Sequence, residues 1–151
     1  MYAPLLELIS KNRYNSSSVQ RTGIIMKLTL KLLSEYFTIH SLPEHSDIPP
    51  QVFSASMYFI AKTFDEVSIV LPQNIKIESD EAEHGWQALE VVGPLDFTLT
   101  GILSSISTVL ANEKISIFAI STFDTDYVLV KKETLTAAIS ALRSNDYQVI
   151  Q

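Results

Sequence analysis

The sequence contains no cysteine. Disulfides, thiolate metal sites and cysteine nucleophiles are thereby excluded, and a reducing compartment fits. Glycine is scarce, at four residues in 151. A glycine-rich phosphate-binding loop has little to draw on. Lysine and arginine number 11 against 17 aspartates and glutamates, for a net charge of −6. That balance disfavours binding to a nucleic-acid backbone, which depends on cations. No run approaches the roughly 20 apolar residues of a membrane span. The opening Met1–Ile9 lacks the basic, then apolar, pattern of a signal peptide. The expectation is a soluble, cytoplasmic protein without nucleic-acid or membrane partners.

What is present is a globular composition, 46% apolar, in a length that suits one domain or two small ones sharing a core. Residues 1–25 are polar and irregular and read as an extension. They either precede a start at Met26 or form a docking arm through Leu5, Leu6, Leu8 and Ile9. Leu28, Leu30 and Leu32 alternate with Thr29 and Lys31, and 36–42 are rich in β-branched and aromatic residues, so 28–42 predicts strand. Pro49-Pro50 stops a loop, and 51–54 fit one helical turn. Segments 57–62 and 67–71 predict a hairpin across Thr63–Glu66. The acidic stretch 73–85 reads as a surface connector.

Trp86–Val92 predicts the next strand, halted by Gly93-Pro94. Ile102, Leu103, Ile106, Val109 and Leu110 form one apolar helical stripe, with Thr98 or Thr100 as N-cap. Strands over 115–121 and 126–130 follow. A helix from about Glu133 to Ser144 comes next, with Asn145 as a left-handed stop, then a last strand over 147–150. The second half spells β-α-β-β-α-β, a ferredoxin-like unit. The first half reads as a shortened copy. The expected fold is α+β: an extension over 1–25, a first shortened unit over 26–84 and a second unit over 85–151. The sheet face away from the helices, that of Phe118 and Ile120 or its alternate, is apolar, which argues that the units, or two chains, cover each other.

Asp96, Thr98, Thr100 and Gly101 precede the first helix. A helix start offers unpaired N–H groups and partial positive charge to a carboxylate. Gly101 lets a ligand or backbone approach closely. The same residues also make an ordinary strand-to-helix turn. Asp96 either accepts from a ligand ammonium group or binds its own loop. Asp124 and Asp126 suit a hairpin turn on local grounds. His40, His45 and His84 fall in unrelated contexts and read as surface or strand-edge histidines. No nucleophile–base constellation is present, so an enzyme is not expected, nor are a cofactor or a metal.

Phe64–Val70, Gly85-Trp86, Gly93–Phe97, Thr100–Leu103, Ile115–Thr122 and Asp124–Tyr127 together resemble ACT domains. The likeness is to the tandem type that includes the CASTOR arginine sensors and small bacterial homologues, and it covers roughly residues 28–151. It implies two packed ACT units and a small-molecule ligand, an amino acid or related metabolite, at a unit interface. The implied ligand-binding residues are Asp96, Phe97, Thr100, Gly101, Ile102, Thr122, Phe123 and Asp126. Asp126 would face a cationic group, and backbone groups at Thr122 and Phe123 would meet the amino-acid end. The arginine sensors have four units and this chain has two, so arginine itself is not implied. The function expected is a non-enzymatic regulatory module, with a homodimer or a regulated protein as partner. The alternative is an interaction or oligomerisation domain without a small ligand.

Overall fold

The computed structural model describes residues 28–93 and 100–151. Its first element, β1 (Thr29–Pro43), is a strand of 15 residues. A short 3-10 helix (Pro50–Ser54) follows, then the hairpin of β2 (Phe59–Lys62) and β3 (Glu66–Pro72). The second half contributes β4 (Glu81–Val91), α1 (Ile102–Asn112), β5 (Ile117–Ser121), β6 (Asp126–Lys131), α2 (Leu135–Ser144) and β7 (Gln148–Ile150). All seven strands form one sheet, in the order β2-β3-β1-β4-β6-β5, with β7 on β1. The architecture is α+β, with a curled, mainly antiparallel sheet and few helices.

β1 joins the halves. Phe37–Pro43 pair with β3, and the stretch from Leu30 to Ser41 pairs with β4. Thr29–Lys31 also hold β7, the parallel partner. A free-standing β-α-β-β-α-β unit would set its last strand beside its first. Here β1 is inserted between β7 and β4 instead. The match is irregular: from Leu32 to Tyr36, β1 takes four steps while β4 takes two, from Leu89 to Gln87. Both counts are even, so side chains keep alternating between the two sheet faces across the bulge. Leu30 and Leu32 face α1 and α2, whereas Leu33, Phe37 and Ile39 face the other way. A second irregularity falls between Phe37 and Ile39. Opposite it Gly85 adopts φ 74°, a conformation that a side chain strains.

β4 begins at Glu81, five residues before the strand expected from Trp86. Glu81, Ala82, Glu83 and His84 are all exposed, so they lack the apolar alternation that marks a strand. They are extended because β1 is long enough to pair with them, Glu81 with Ser41 and Ala82 with His40. His40 corrects another expectation. It is buried at 5% exposure, and its Nδ1 lies 2.9 Å from the Ser79 hydroxyl. Thr38 and His84 form a neighbouring pair at 3.0 Å.

Three clusters fill the interior. Under the helices, Ile106, Leu110, Ala138 and Leu142 pack on Leu30, Leu89, Val91, Val128 and Val130. In the first half, Val52 of the 3-10 helix joins Leu42, Val67, Ile69 and Leu71, with Ile75 and Ile77 of the connector against them. On the opposite sheet face are Phe37, Val70, Trp86, Ala88 and Leu129, flanked by Phe59, Phe118, Ile120 and Tyr127. Phe59 on the outermost strand β2 lies 5.2 Å, ring to ring, from Tyr127 on β6. Strands β3, β1 and β4 separate β2 from β6, so the contact requires the sheet to curl. The face carrying Phe118 and Ile120 is thus partly covered by the chain's own first hairpin.

Candidate functional site

The expected site has two parts, the entry to α1 and the β5–β6 turn. Asp96 and Phe97 lie outside the described residues. Gly101, rather than Thr98 or Thr100, holds the N-cap position, at φ 81° and ψ 5°. No side chain of a described residue caps the helix, and no acidic residue stands in its first turn. The Gly101 carbonyl accepts the Ser105 N–H at 2.9 Å, closing the first helical turn. Thr100 is exposed and Ile102 half-buried. A left-handed cap suits glycine because a Cβ would be strained there.

The β5–β6 turn is tightly built. The Thr122 N–H donates to the Thr125 carbonyl at 2.9 Å, and so does the Thr122 hydroxyl, also at 2.9 Å. The Thr125 N–H returns a bond to the Thr122 hydroxyl at 3.2 Å. The Ser121 hydroxyl donates to the Asp126 carboxylate at 2.5 Å. Asp126 therefore has a structural duty within the turn. Thr122 also spends its N–H there, which leaves its carbonyl as the backbone group to offer. Phe123 sits at the tip, 79% exposed.

A side-chain bond ties this turn to the end of β4. Thr125 is buried, and its hydroxyl donates to the Val91 carbonyl at the end of β4. β4 leads through Gly93 towards α1. The bond therefore holds the turn against the last residue of β4. Sequence reading gave Thr125 no role, although a threonine between two aspartates in a turn is a possible anchor. Beside it, the Tyr127 hydroxyl donates to Glu90 at 3.3 Å. Burial first, then the Glu90 carboxylate, pushes the Tyr127 phenol pKa upward, so it remains a donor at neutral pH.

Among the described residues, no group of three or more His, Asp or Glu side chains is placed to hold a metal ion. No helix among them is long and apolar enough to cross a membrane.

Residues 81–144 match the family model described as ACT domain. The mouse (Mus musculus) cytosolic arginine sensor for mTORC1 subunit 1 is 32% identical over 103 residues, 67% of this chain. The chain spans about a third of that relative, 31% of its length. A crystal structure of a protein from Agrobacterium tumefaciens superposes with a TM-score of 0.71 at 29% identity, covering 82% of this chain and 92% of that one. The regulatory subunit of aspartate kinase from Thermus thermophilus shares the fold, with a TM-score of 0.55 at 13% identity over 76% of this chain and 95% of its own. Both helices and strands β4, β5 and β6 lie inside the matched residues, and residues 81–144 of the chain form a domain of the ACT family.

Proposed function

We propose that the chain is a non-enzymatic, cytoplasmic regulatory module that binds an amino acid or related small metabolite beside the β5–β6 turn. The observation that carries this reading is the Thr125–Val91 bond, which holds the turn against the end of β4, the strand that precedes α1 in the chain. The helix start, with no acidic residue in its first turn, suits an anionic ligand group. The Asp126 carboxylate suits a cationic one. A zwitterion carries both. Asp96, Phe97, Thr100, Gly101, Ile102, Thr122, Phe123 and Asp126 are the proposed contact residues. Two further points support the reading: the family match, and relatives named as an arginine sensor and as an aspartate kinase regulatory subunit. We assign residues 26–84 to a reduced first ACT unit and 85–151 to the second. Regulation would follow from preferential binding to one arrangement of the units, or of the chain with a second copy or a regulated protein.

Thermal-shift measurement against the proteinogenic amino acids tests the proposal. A ligand that binds only the folded state, at about 100 times its Kd, adds roughly 2.7 kcal/mol of stability. Asp126→Ala should remove that shift, whereas Ser121→Ala, which removes the hydroxyl bound to the same carboxylate, should keep most of it. Equal loss in the two variants, with equal falls in ligand-free Tm, would reduce Asp126 to a turn residue. A second reading, an oligomerisation domain, draws on β5, an edge strand that among the described residues has β6 as its one sheet neighbour. Sizing across a concentration series distinguishes it, because assembly without any amino-acid-dependent shift would favour that reading.

A further inference from the structure

β2 and β5 end the two sides of the sheet, yet the curl makes them opposite walls of one cleft of about 510 Å³. Phe59, Val70, Phe118 and Ile120 line it, and all four belong to the apolar face away from the helices. Ile60, Ala119 and Ser121 line it as well, although strand alternation turns their side chains to the other face. Their backbone explains this. The Thr63 N–H donates to the Glu66 carbonyl, and the Thr122 N–H to the Thr125 carbonyl, both at 2.9 Å. Hydrogen-bonded pairs alternate with unbonded ones along an antiparallel ladder. Counted back from Thr63, Ala61 and Phe59 bond to β3, and Ile60 turns its N–H and C=O outward. Counted back from Thr122, Ile120 and Phe118 bond to β6, and Ser121 and Ala119 turn theirs outward. The cleft is thus a seam between two strand edges, and among the described residues no ladder joins β2 to β5.

We propose that this seam takes one extended peptide segment of a partner protein, apolar at alternate positions and basic at one end. The inference does not rest on the amino-acid site. Outward N–H and C=O groups at strand spacing are matched by another backbone. Each step along the sheet from β2 to β5 is antiparallel, and the two edges run in opposite directions. A strand between them is parallel to one and antiparallel to the other. β1 already occupies such a place, parallel to β7 and antiparallel to β4. Every second side chain of the segment faces Phe59, Val70, Phe118 and Ile120 and buries apolar surface there. Charge sets its basic end. At Ser68 and Phe118 the seam meets a smaller cavity bordered by Glu66, Glu81 and Glu83. These carboxylates share the face of the apolar walls. On β1, Ile39 stands between Val70 and Glu83, and Ser41 between Ser68 and Glu81. Glu66 lies two residues before Ser68 on β3. Lys131 pairs with Glu83 at 2.6 Å, which leaves Glu66 and Glu81 in excess. A lysine or arginine at that end of the segment complements them.

Fluorescence anisotropy of labelled synthetic peptides, titrated with the full chain, tests this. The probes are Lys-Val-Thr-Val-Thr-Val and Val-Thr-Val-Thr-Val-Lys, one for each strand direction. One of them should bind saturably. Glutamate in place of its lysine should weaken binding at least about tenfold, through like-charge contact with Glu66 and Glu81. N-methylation of alternate residues, which keeps the side chains and removes donors, should weaken it at least about tenfold as well. On binding, hydrogen exchange should slow at the Ile60, Ala119 and Ser121 amides. Ala119 is exposed, and Ala119→Pro, which removes an outward N–H, should weaken binding in the same order. Binding that survives N-methylation, or protection confined to other amides, overturns the proposal. Failure of both peptides to bind overturns it too. Protection of the same amides that grows with the concentration of the chain alone assigns the seam to a second copy and likewise overturns it. The amino-acid site has its own readout in Tm, so either proposal can fail without the other.

Discussion

The two halves of the sheet solve the same covering problem by different means. In the second half, α1 and α2, of 11 and 10 residues, lay Ile106, Leu110, Ala138 and Leu142 over the strands. In the first, a five-residue 3-10 helix and an irregular connector supply Val52, Ile75 and Ile77. Regular helices present residues at fixed spacing and support one another. A single turn and a connector depend on the strand beneath them. The first half remains folded because β1 belongs to both halves of the one sheet. The thin hairpin β2–β3 is also the part that bends over the sheet, bringing Phe59 against Tyr127 of β6.

The shared strand offers the sharpest way to break this comparison. Phe37 is 1% exposed and pairs with β3 on one side and β4 on the other. Phe37→Ala should cost about 3–5 kcal/mol. Both halves should lose it in one transition, with Trp86 fluorescence and far-UV circular dichroism coinciding in urea. Two separated transitions would show that the halves fold independently.

A matched pair of valines tests the covers themselves. Val130 lies beneath the helices and Val52 in the 3-10 helix, both at 0% exposure. Val130→Ala should cost about 2 kcal/mol and Val52→Ala about 1 kcal/mol less, because a loosely held cover closes onto the missing methyl groups more readily. Equal costs from urea titration would mean that the first-half cover is as rigid as the helical one.

The smallest expected effect is a pH dependence confined to the first half. Burial, then the neighbouring His84 and Lys76, hold the His40 pKa below the ordinary imidazole value of 6.5. Its Nε2 is buried without a hydrogen-bond partner among the described residues, so the folded protein resists charging it. The unfolded chain takes up the proton first. His40 therefore costs no stability above the ordinary value. The folded state loses stability as pH falls from about 6.5 towards the depressed pKa, and the loss levels off below it. Tm measured from pH 7.5 to 5 should fall less steeply in His40→Asn than in the parent. An identical slope would remove His40 as the cause.

Much of the local structure was legible. The 3.6-residue apolar stripes marked both helices, the short polar link at Thr63–Glu66 marked the β2–β3 hairpin, and Asp124–Asp126 marked the β5–β6 turn. The cap at Gly101 was misplaced onto threonine because side-chain preference favours Thr, whereas the backbone there is left-handed. Likewise the left-handed residue after α2 is Asp146, at φ 66°, and not Asn145. Of the proposed site, the turn residues were legible from composition and resemblance. Thr125 was not, because its role is a bond to a carbonyl 34 residues away.

The sequence by itself determined the element types, their approximate limits and the acidic, cysteine-free character of the chain, since these depend on local propensity and periodicity. The tertiary structure decided what is non-local. It inserted β1 between β7 and β4, drew Glu81–His84 into a strand, buried His40 and curled the sheet until β2 faced β5. Those outcomes turn on which strand finds which partner across the chain, and alternation along a single strand carries no record of its neighbour.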